Sequence, residues 1–454
     1  MSTTTTIELE NRHRHVNLPT RSGDIQISTE NELNQRNIDE IAPENAATAV
    51  PDGGYGWVVV FCCSILTFWL SGLTGAWGVI QAALLSSTLK GSASSTTAFV
   101  GSLGITICVA FGLVAVRLMQ LTGVRLAAII GITLLGVGTL ASGFTTTNVA
   151  GLFQTYGVVL GAGDCLCYTA SNVMPPQYFA RRIGLANALI KLGGGLGATI
   201  LSVSLNALID RVGVAWMFRI LGLVMLATGV PAAMAIKERT PPRKTPILDL
   251  ALFKNVPFIA IFIAGATATF TLFVPPFFLP LYARSIGLSD SVGAGLVAGF
   301  NACTTVGRFA AGPLCDRIGP LNTFVITMVL NAATILAVWS VSSTLPVLVI
   351  FIILNGIANG AFFTTLPTVV ASMVDPSRAA VAMSMSITGW TAGYLMGPPI
   401  AGYLLEATGA AGIDDIGATA YRGAIFYAGG LATFSSLFVI IARLFVAKKV
   451  FKRV

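Results

Sequence analysis

Long apolar segments are the feature that most constrains the fold of this sequence. Each is continuous and about as long as the roughly 20 residues that a helix needs to cross a bilayer. Only helices and closed β-barrels satisfy their own backbone hydrogen bonds in lipid, and barrel strands would alternate apolar and polar residues. The pattern therefore predicts an all-α membrane protein with twelve transmembrane helices. We number these segments as spans 1 to 12: residues 57–85, 95–117, 124–143, 149–174, 183–209, 216–236, 257–283, 292–314, 321–342, 345–373, 379–404 and 422–446.

The composition supports this class of protein. Hydrophobic residues make up 54% of the 454 residues, and charged residues only 10%. Soluble domains average about 25% charged residues, because their surface faces water. The deficit indicates that most of this surface faces lipid. All seven cysteines fall in or beside apolar segments, where we expect free thiols rather than disulfides.

The two ends of the chain differ from the spans. Residues 1–51 are polar and cannot bury enough apolar surface to fold, so we expect a disordered tail. The two histidines, His13 and His15, lie in this tail without other clustered ligands, so no metal site is predicted. Residues 447–454 form a basic tail that either anchors the last span or contacts anionic membrane lipid.

The distribution of Lys and Arg predicts the orientation. Short cytoplasmic loops carry an excess of these residues. With the N-terminus inside, the inner loops and the C-terminal tail hold most of them, and the outer loops hold only Lys90, Arg211, Arg284 and Arg422. We therefore predict a multi-pass integral protein with both termini cytoplasmic, in the plasma membrane. The same asymmetry explains the net charge of +8 without a nucleic-acid partner.

A central loop, residues 237–256, divides the spans into an N-terminal bundle (52–236) and a C-terminal bundle (257–446). Within the loop, residues 247–253 look like a short interfacial helix. A glycine that ends the loop after span 2, Gly123, lies 196 residues (319 − 123) before Gly319, which ends the loop after span 8. Two repeated halves with a site between them are the architecture of many secondary transporters.

The loop after span 8 has a recognisable pattern, Gly-x-x-x-Asp-Arg-x-Gly. It comprises Gly312, Asp316, Arg317 and Gly319, and it resembles the gating loop of the major facilitator superfamily. Its glycines allow close helix approach, and its charges can pair with each other and with helix ends. In the first half, Gln120 and Leu121 replace the charged residues, so we expect fewer charged contacts there.

A motif just before span 1 narrows the resemblance. It follows Pro51 and contains Asp52, Gly53, Gly54, Gly56 and Trp57. It is similar to the leading motif of the monocarboxylate transporter family, and the long polar tail is similar to the fungal branch. Further similarities are the segments 178–182, 185–187, 307–308 and 397–402. The resemblance implies a major facilitator fold and the movement of small carboxylates with protons.

The family's coupling residues match this chain only in part. The arginine of span 8 corresponds to Arg308, but its acidic partner falls on Thr304 and the lysine of span 1 falls on Gly75. The resemblance therefore does not predict the lactate-type proton mechanism for this chain.

Three charged side chains within the spans require a physical explanation, because placing a charge at the bilayer centre costs at least about 2.5–3.5 kcal/mol. Arg308 offers a planar fork that suits a carboxylate, so it is either an anion-binding group or a structural partner of another helix. Asp164 in span 4 and Lys191 in span 5 lie at similar depths, which predicts an ion pair. That pair is either structural or titrates during transport, unless Lys191 reaches the inner surface instead.

Polar and aromatic residues near the midplane predict a cavity. The candidates for substrate binding are Arg308, Asn301, Thr304, Asn359, Trp390 and Tyr394, with Tyr168, Asn172 and Asn355 as further polar or aromatic residues. Each could instead form a helix–helix contact. Pro275–Pro276 and Pro398–Pro399 should break or kink spans 7 and 11, and the run Gly193–Gly197 favours close helix packing.

These features predict a secondary active transporter that moves a small organic anion, monocarboxylate-like, or a related metabolite by alternating access. An exporter of a secondary metabolite on the same fold and a non-transporting membrane sensor remain alternatives. The spans contain no cluster of His, Asp and Glu and no nucleotide motif, so neither an enzyme nor a cofactor is predicted. The expected partners are a small-molecule substrate, membrane lipid and, where transport is coupled, protons.

Overall fold

The structure is a computed structural model that describes residues 52–179, 182–239, 249–374, 376–408 and 419–446. Both predicted tails, 1–51 and 447–454, lie outside the described residues. The described part is helical almost throughout, which confirms the predicted fold class. All seven cysteines are free thiols, as expected.

Helices cover all twelve predicted segments. They are span 1, Gly56–Ser86; span 2, Ser94–Ala110 and Gly112–Thr122; span 3, Val124–Ser142; span 4, Val149–Tyr178; spans 5 and 6, Ile183–Ala235; span 7, Val256–Leu272 and Val274–Ser285; span 8, Asp290–Ile318; span 9, Pro320–Val341; span 10, Leu345–Ser372; span 11, Pro376–Thr388 and Thr391–Ala407; and span 12, Arg422–Val446.

Eight helices in the described ranges are long and apolar enough to cross a membrane, or nine if the bent pair of span 2 counts as one. The difference between nine and twelve has three local causes. Spans 5 and 6 run together as Ile183–Ala235 and are separated only by a kink at Gly213. Span 8 carries the polar residues Asn301 and Arg308. Span 11 consists of two helices of 13 and 17 residues.

The repeat predicted from Gly123 and Gly319 is visible in the backbone. Gly123 has φ 88° and ψ 152°, and Gly319 has φ 96° and ψ 148°. Each joins two helices at the same point of its half, and a positive φ is a conformation that glycine adopts without a Cβ penalty. The pattern of the two loops therefore reflects one repeated turn.

Span 7 breaks beside its proline pair, as predicted. Its first helix ends at Leu272, and Val274 begins the second, directly before Pro275 and Pro276. Span 11 does not break at Pro398 and Pro399, which lie inside Thr391–Ala407. Neighbouring helices can satisfy the carbonyls that prolines free, so a helix in a membrane tolerates them. The break of span 11 lies earlier, before Thr391.

Glycines bring spans 1 and 5 into direct contact, as the glycine run predicted. A Cβ at Gly194 would lie 2.9 Å from Oγ of Ser71, and one at Gly72 would lie 3.1 Å from the backbone of Gly197. Thr67 in span 1 also donates a 2.7 Å hydrogen bond to the carbonyl of Ile190. Small residues allow this close approach, which maximises van der Waals contact in the absence of a hydrophobic driving force.

We call the end of the bundle where span 1 begins the tail face, and the end where span 1 finishes the distal face. Several close contacts between the two halves lie toward the distal face. A Cβ at Gly78 of span 1 would meet the carbonyls of Pro276 and Phe277, and one at Gly402 of span 11 would meet the backbone of Ser95. The halves therefore close against each other on the distal side.

Part of the segment expected as a short interfacial helix forms a turn that packs against the C-terminal half. Residues 247 and 248 lie outside the described residues, and Leu250–Lys254 forms a 3₁₀ turn. Leu252 is buried, and the ring of Phe253 lies 5.1 Å from that of Phe262 in span 7. Span 7 thus covers the apolar side of this turn.

Candidate functional site

Arg308 lies near the middle of span 8, where its side chain is half-buried. Its guanidinium lies over the ring of Phe363 in span 10, 5.0 Å from the centroid. Its Nε is buried without a hydrogen-bond partner, and it makes no ion pair with a carboxylate in the described part of the chain. A cation–π contact contributes about 0.5–2 kcal/mol, so the charge is only partly compensated.

Lys191 presents a second cation from the N-terminal half. Its Nζ donates a 3.0 Å hydrogen bond to Oδ1 of Asn172 and lies 4.8 Å from the ring centroid of Tyr168. Asn172 also donates to the carbonyl of Tyr168, at 2.7 Å, which fixes its amide. Asn172 is exposed and lies in the part of span 4 nearest the tail face.

The two cations, one from each half, lie close enough to interact. Lys191 interacts electrostatically with Arg308, and Tyr168 interacts with both Arg308 and Tyr394. Cys108 of span 2 also interacts electrostatically with Lys191. We call Lys191, Tyr168, Asn172, Arg308 and Tyr394 the central site. Two positive charges with hydroxyl and amide neighbours form a place that favours an anion.

Asp164 does not form the expected ion pair with Lys191. Its carboxylate is 4% exposed, and Oδ1 is buried without a hydrogen-bond partner. The electrostatic neighbours of Asp164 include Tyr156 and Cys108, not Lys191. Lys191 instead lies beside Tyr168 and Asn172, one and two helical turns after Asp164 in span 4, and Asn172 provides its hydrogen-bond partner.

An aromatic wall lies beside Arg308 in the C-terminal half. Trp390, at the break of span 11, has ring centroids of Phe362 at 5.7 Å, Phe363 at 6.3 Å and Tyr394 at 6.0 Å. Tyr394 in turn packs on Phe273, at 5.2 Å. The Nε1 of Trp390 is buried without a partner. Two of the predicted binding residues, Trp390 and Tyr394, thus lie together beside Arg308 and Phe363.

Asn301 joins the halves rather than lining an open surface. Its amide nitrogen donates to the carbonyl of Gly75 at 3.0 Å and lies 3.3 Å from Oγ of Ser202. A Cβ at Gly75 would lie 2.6 Å from that of Ala198 and 3.2 Å from the Asn301 amide. The position that holds a lysine in the resembling family therefore has no room for a side chain here.

Thr304 and Asn359 occupy different environments. Thr304 is buried, and its Oγ1 has no hydrogen-bond partner. Asn359 donates a 2.8 Å hydrogen bond to the carbonyl of Leu272. In an unbroken helix that carbonyl would accept from residue 276, which is proline and has no N–H. Asn359 thus stabilises the break of span 7, while Asn355 bonds to Asn331 and Thr334 of span 9.

The leading motif docks on the loop between spans 4 and 5. Asp52 and Gly54 have φ values of 50° and 60°, so the motif makes a tight turn there. Oδ1 of Asp52 accepts a hydrogen bond from the backbone of Arg182 at 3.2 Å.

The motif also packs on Phe179 of the same loop. A Cβ at Gly56 would lie 2.9 Å from Phe179, whose ring lies 4.7 Å from that of Trp57. The carbonyl of Gly53 accepts a hydrogen bond from the backbone N–H of Gly56, which completes the turn. Two motifs far apart in sequence thus form one contact.

The gating loop is more exposed. Asp316 and Arg317 are exposed side chains at the end of span 8, Gly312 is half-buried, and Gly319 makes the turn. In the first half, Glu238 supplies a charge that the loop itself lacks. Its Oε1 accepts a 2.8 Å hydrogen bond from the backbone of Arg125 at the start of span 3, where a helix N-terminus favours a negative charge.

Several functional candidates were missed by sequence reasoning. Phe363, under Arg308, gave no signal beyond an aromatic pair in span 10. Glu406 of span 11 accepts hydrogen bonds from Ser95 of span 2. Gln81 of span 1 is fully buried, with both amide atoms unpartnered. A glutamine or glutamate inside an apolar segment is itself a signal, because burying a polar group in lipid is costly.

Two helix bundles that enclose a charged site are the architecture of a membrane transporter. A family model described as Major Facilitator Superfamily matches residues 57–307 and 261–453. The chain therefore belongs to the Major Facilitator Superfamily, a family of transporters, and this favours transport over catalysis. Among the described residues, no group of three or more His, Cys, Asp and Glu is placed to hold a metal ion.

Curated relatives from fungi cover most of the chain. The MFS transporter asaE of Aspergillus flavus is 27% identical, over 81% of this chain and 84% of its own length. The Aspyridones efflux protein apdF of Emericella nidulans is 28% identical, over 81% and 75%. The Agnestins efflux protein AgnL12 of Paecilomyces divaricatus is 26% identical, over 84% and 85%.

Solved structures support the fold. The nucleoside transporter NupG superposes with a TM-score of 0.68 at 15% identity, covering 85% of this chain and 99% of its own. A bacterial homolog of the human lysosomal transporter Spinster, in an inward-facing and unoccupied conformation, has a TM-score of 0.58 at 15% identity. That match covers 87% of this chain and 97% of its own. At this identity the likeness concerns the fold alone.

Proposed function

We propose that this transporter exports an organic anion with an aromatic or ring-shaped apolar body, by alternating access. The observation that carries the proposal is the pair of cations, Arg308 and Lys191, one from each half. Neither makes an ion pair with a carboxylate in the described part of the chain. An anionic substrate would supply the missing charge, and the wall formed by Phe363, Trp390 and Tyr394 would hold its apolar body.

The direction of transport rests on two arguments. The excess of Lys and Arg in the loops favours a cytoplasmic tail face and a plasma-membrane location. Asn172 is exposed in the part of span 4 nearest the tail face, whereas Gly78 and Gly402 pack against the other half on the distal side. This arrangement suits a carrier that collects its substrate from the cytoplasm. The names of two relatives, efflux proteins for aspyridones and for agnestins, agree with export.

The narrower resemblance to monocarboxylate transporters supports an acidic substrate but not a lactate-sized one. Arg308 corresponds to the arginine of that family. Gly75 packs too closely against Ala198 to accept the lysine, and Lys191 offers a cation from a different span. We propose that Lys191 and Arg308 together bind the acidic group. The aromatic wall then selects a molecule that is bulkier than lactate.

Binding tests the anion site directly. We suggest purified protein with indole-3-acetate and its uncharged amide, measured by the rise in melting temperature. The acid should stabilise the wild type and the amide should not. Arg308→Ala and Lys191→Met should each weaken binding of the acid at least about tenfold, because removing one partner of a buried charge pair costs roughly 2–5 kcal/mol. The exposed Arg422→Gln is the control.

Transport separates the carrier from a membrane sensor. Proteoliposomes loaded with labelled indole-3-acetate should exchange it for external unlabelled acid, faster than liposomes without protein. Binding without such exchange would favour a sensor. Equal stabilisation by acid and amide, with Arg308→Ala unchanged, would exclude the anion site.

A further inference from the structure

Arg219 is a charged side chain of span 6 that takes no part in the central site. It lies six residues after the kink at Gly213, which is about 9 Å along the helix. Its Nε is buried without a hydrogen-bond partner. Arg219 makes neither a hydrogen bond nor an ion pair with any residue that the structure describes. A guanidinium has five N–H donors and keeps its positive charge, so this group lacks a counter-charge from the described protein.

Two aromatic rings hold the guanidinium of Arg219. Its Cζ lies 4.1 Å from the ring centroid of Phe144 and 4.9 Å from that of Trp216, which are cation–π distances. Phe144 follows the end of span 3, and Trp216 lies one turn before Arg219 in span 6. We call Phe144, Trp216 and Arg219 the distal cluster. Because its rings come from two helices, the cluster restricts the orientation of the guanidinium without any ligand.

The backbone beneath the distal cluster is tightly packed. A Cβ at Gly143 would lie 2.6 Å from the carbonyl oxygen of Ala215 and 2.7 Å from Cγ of Arg219, so spans 3 and 6 touch there. The carbonyls of Ala141 and Ser142, at the end of span 3, accept hydrogen bonds from the turn that follows. The cluster therefore lies on a close contact between two helices, and the nearest helix end already uses these carbonyls.

The distal cluster lies on the outer surface of the N-terminal half. Phe144 is 67% exposed, and Trp216 is 57% exposed. Leu223, one turn after Arg219 on the same side of the helix, is exposed too, and so is Val137 of span 3. A group of exposed apolar side chains marks a surface that contacts a membrane or a protein. On spans that cross a bilayer, this surface faces lipid.

The depth of the distal cluster matches that of lipid headgroups. Span 3 ends at Ser142, and span 6 begins after the kink at Gly213, so the cluster lies where both spans reach the distal face. A helical side chain is tilted toward the N-terminus of its helix, which for Arg219 is the distal end of span 6. Tryptophan is enriched at this level of a membrane. A headgroup phosphate is the anion that the bilayer itself supplies there.

Phosphate suits the unpaired guanidinium, because arginine forms two parallel hydrogen bonds with phosphate oxygens. We propose that Arg219, held by Phe144 and Trp216, binds the phosphate of a glycerophospholipid in the leaflet at the distal face. The acyl chains of this lipid lie along the exposed apolar side chains Val137 and Leu223. The lipid site is separate from the central site, and it does not depend on the proposed function.

Native mass spectrometry of the delipidated protein in detergent tests the lipid site. Dioleoyl phosphatidylglycerol carries a phosphate and two chains, whereas dioleoylglycerol carries the chains alone. The phospholipid should bind at least about tenfold more tightly, because a charge-assisted hydrogen bond contributes about 1.5–3 kcal/mol. Inorganic phosphate at the same concentration should not displace it. Equal binding of dioleoylglycerol would leave only an apolar surface, and displacement by phosphate would mean that no lipid is needed. Either result would overturn the proposal.

A matched pair of arginine variants locates the lipid site. Arg219→Met keeps an unbranched side chain but removes the charge, and it should weaken binding of phosphatidylglycerol at least about tenfold. Arg211→Met removes an exposed charge from the same distal end and should bind like the wild type. An equal loss in both variants would assign binding to the general charge of the distal face. Unchanged binding in Arg219→Met would mean that Arg219 only extends to water at the interface. Both outcomes contradict the proposal.

Two milder variants decide the question if Arg219→Met does not fold. Arg219→Lys keeps the charge without the planar fork, and Trp216→Leu removes one ring of the distal cluster. Each should weaken binding about threefold, because a cation–π contact at an exposed site contributes about 0.5–1 kcal/mol. Phe434→Leu, which removes an exposed ring of span 12, should not. Wild-type binding in both milder variants would overturn the site. A dimer that depends on Trp216, without bound lipid, would also overturn it and assign this surface to a second copy of the chain.

Discussion

Glu406 at the end of span 11 holds the start of span 2 in the opposite half of the molecule. Its Oε1 accepts a 2.8 Å hydrogen bond from the backbone N–H of Ser95, and its Oε2 accepts a 3.3 Å hydrogen bond from the hydroxyl of that residue. The N-terminal turn of a helix favours a negative charge. This contact crosses the two halves on the distal side, so it must break whenever that side opens.

Removing the charge of Glu406 should therefore favour distal opening. Glu406→Gln keeps a hydrogen-bond acceptor but loses an interaction of about 0.3–1 kcal/mol with the helix terminus, which corresponds to a rise of roughly 2- to 5-fold in the open population. Glu406→Ala should have a larger effect. Distances between spin labels at Lys90→Cys and Arg422→Cys, both exposed on the distal side, measure the change. Unaltered distance distributions in both variants would contradict the role of this contact.

The close packing at Gly75 gives a second prediction. Gly75→Ala should lower the melting temperature, because overpacking against Ala198 costs about 1–3 kcal/mol and outweighs the roughly 1 kcal/mol gained in helix propensity. The double variant Gly75→Ala with Ala198→Gly exchanges the two methyl groups and should recover most of the loss. Failure of the double variant to recover would mean that the cost arises elsewhere, for example at Asn301.

The sequence predicts the positions of the helices better than it predicts where they bend or break. Apolar runs read against charged, proline and glycine breaks predicted twelve segments that helices cover, and the spacing of Gly123 and Gly319 predicted the repeated turn. The bend of 55° between the two helices of span 2 was missed, because no proline marks it. Pro398 and Pro399 were poor guides to the break in span 11, since neighbouring helices can satisfy the carbonyls that prolines free.

The candidate site was predicted less completely, for a geometric reason. The sequence gives the depth of a residue along a span, but each helix also has a rotation that only packing decides. Arg308, Trp390 and Tyr394 were expected near one another and lie together. Asp164 and Lys191 were expected to pair but have different neighbours, and Asn301 turns toward Gly75 instead of an open cavity. Phe363 was missed, because an aromatic residue in an apolar segment is not distinguished by sequence from one that only packs in the core.

Two asparagines one turn apart in span 10 should behave differently. Asn359→Leu leaves the carbonyl of Leu272 without its partner, which costs about 0.6 kcal/mol and at most roughly 1.7 kcal/mol in a membrane protein. Because that carbonyl lies at the break of span 7, exchange of the substrate should slow as well. Asn355→Leu should lower stability by a similar amount but leave exchange near the wild-type rate, since Asn355 contacts span 9. Melting temperature and exchange rate, measured together, distinguish the two. Equal slowing by both variants would argue against a special role for the break.

At the contact between the central loop and span 11, the contribution of an ion pair to stability can be measured separately from that of a capping hydrogen bond. Arg378 contacts Oδ2 of Asp249 through Nη2 at 2.5 Å and through Nε at 2.7 Å, while Oδ1 of Asp249 accepts from the backbone of Ala251 at 3.1 Å. With side chains 39% and 27% exposed, the ion pair should contribute less than about 1 kcal/mol and weaken in high salt.

Arg378→Gln should therefore change the melting temperature little, and that small change should vanish in high salt. Asp249→Leu also removes the cap of the turn Leu250–Lys254, at a further cost of about 0.5–2 kcal/mol that salt does not affect. Asp249→Asn keeps the cap and should behave like Arg378→Gln. Thermal unfolding of the three variants at low and high salt measures the contribution of the ion pair and the contribution of the cap. A salt-independent loss in Arg378→Gln as large as that in Asp249→Leu would show that the guanidinium does more than pair with a surface carboxylate.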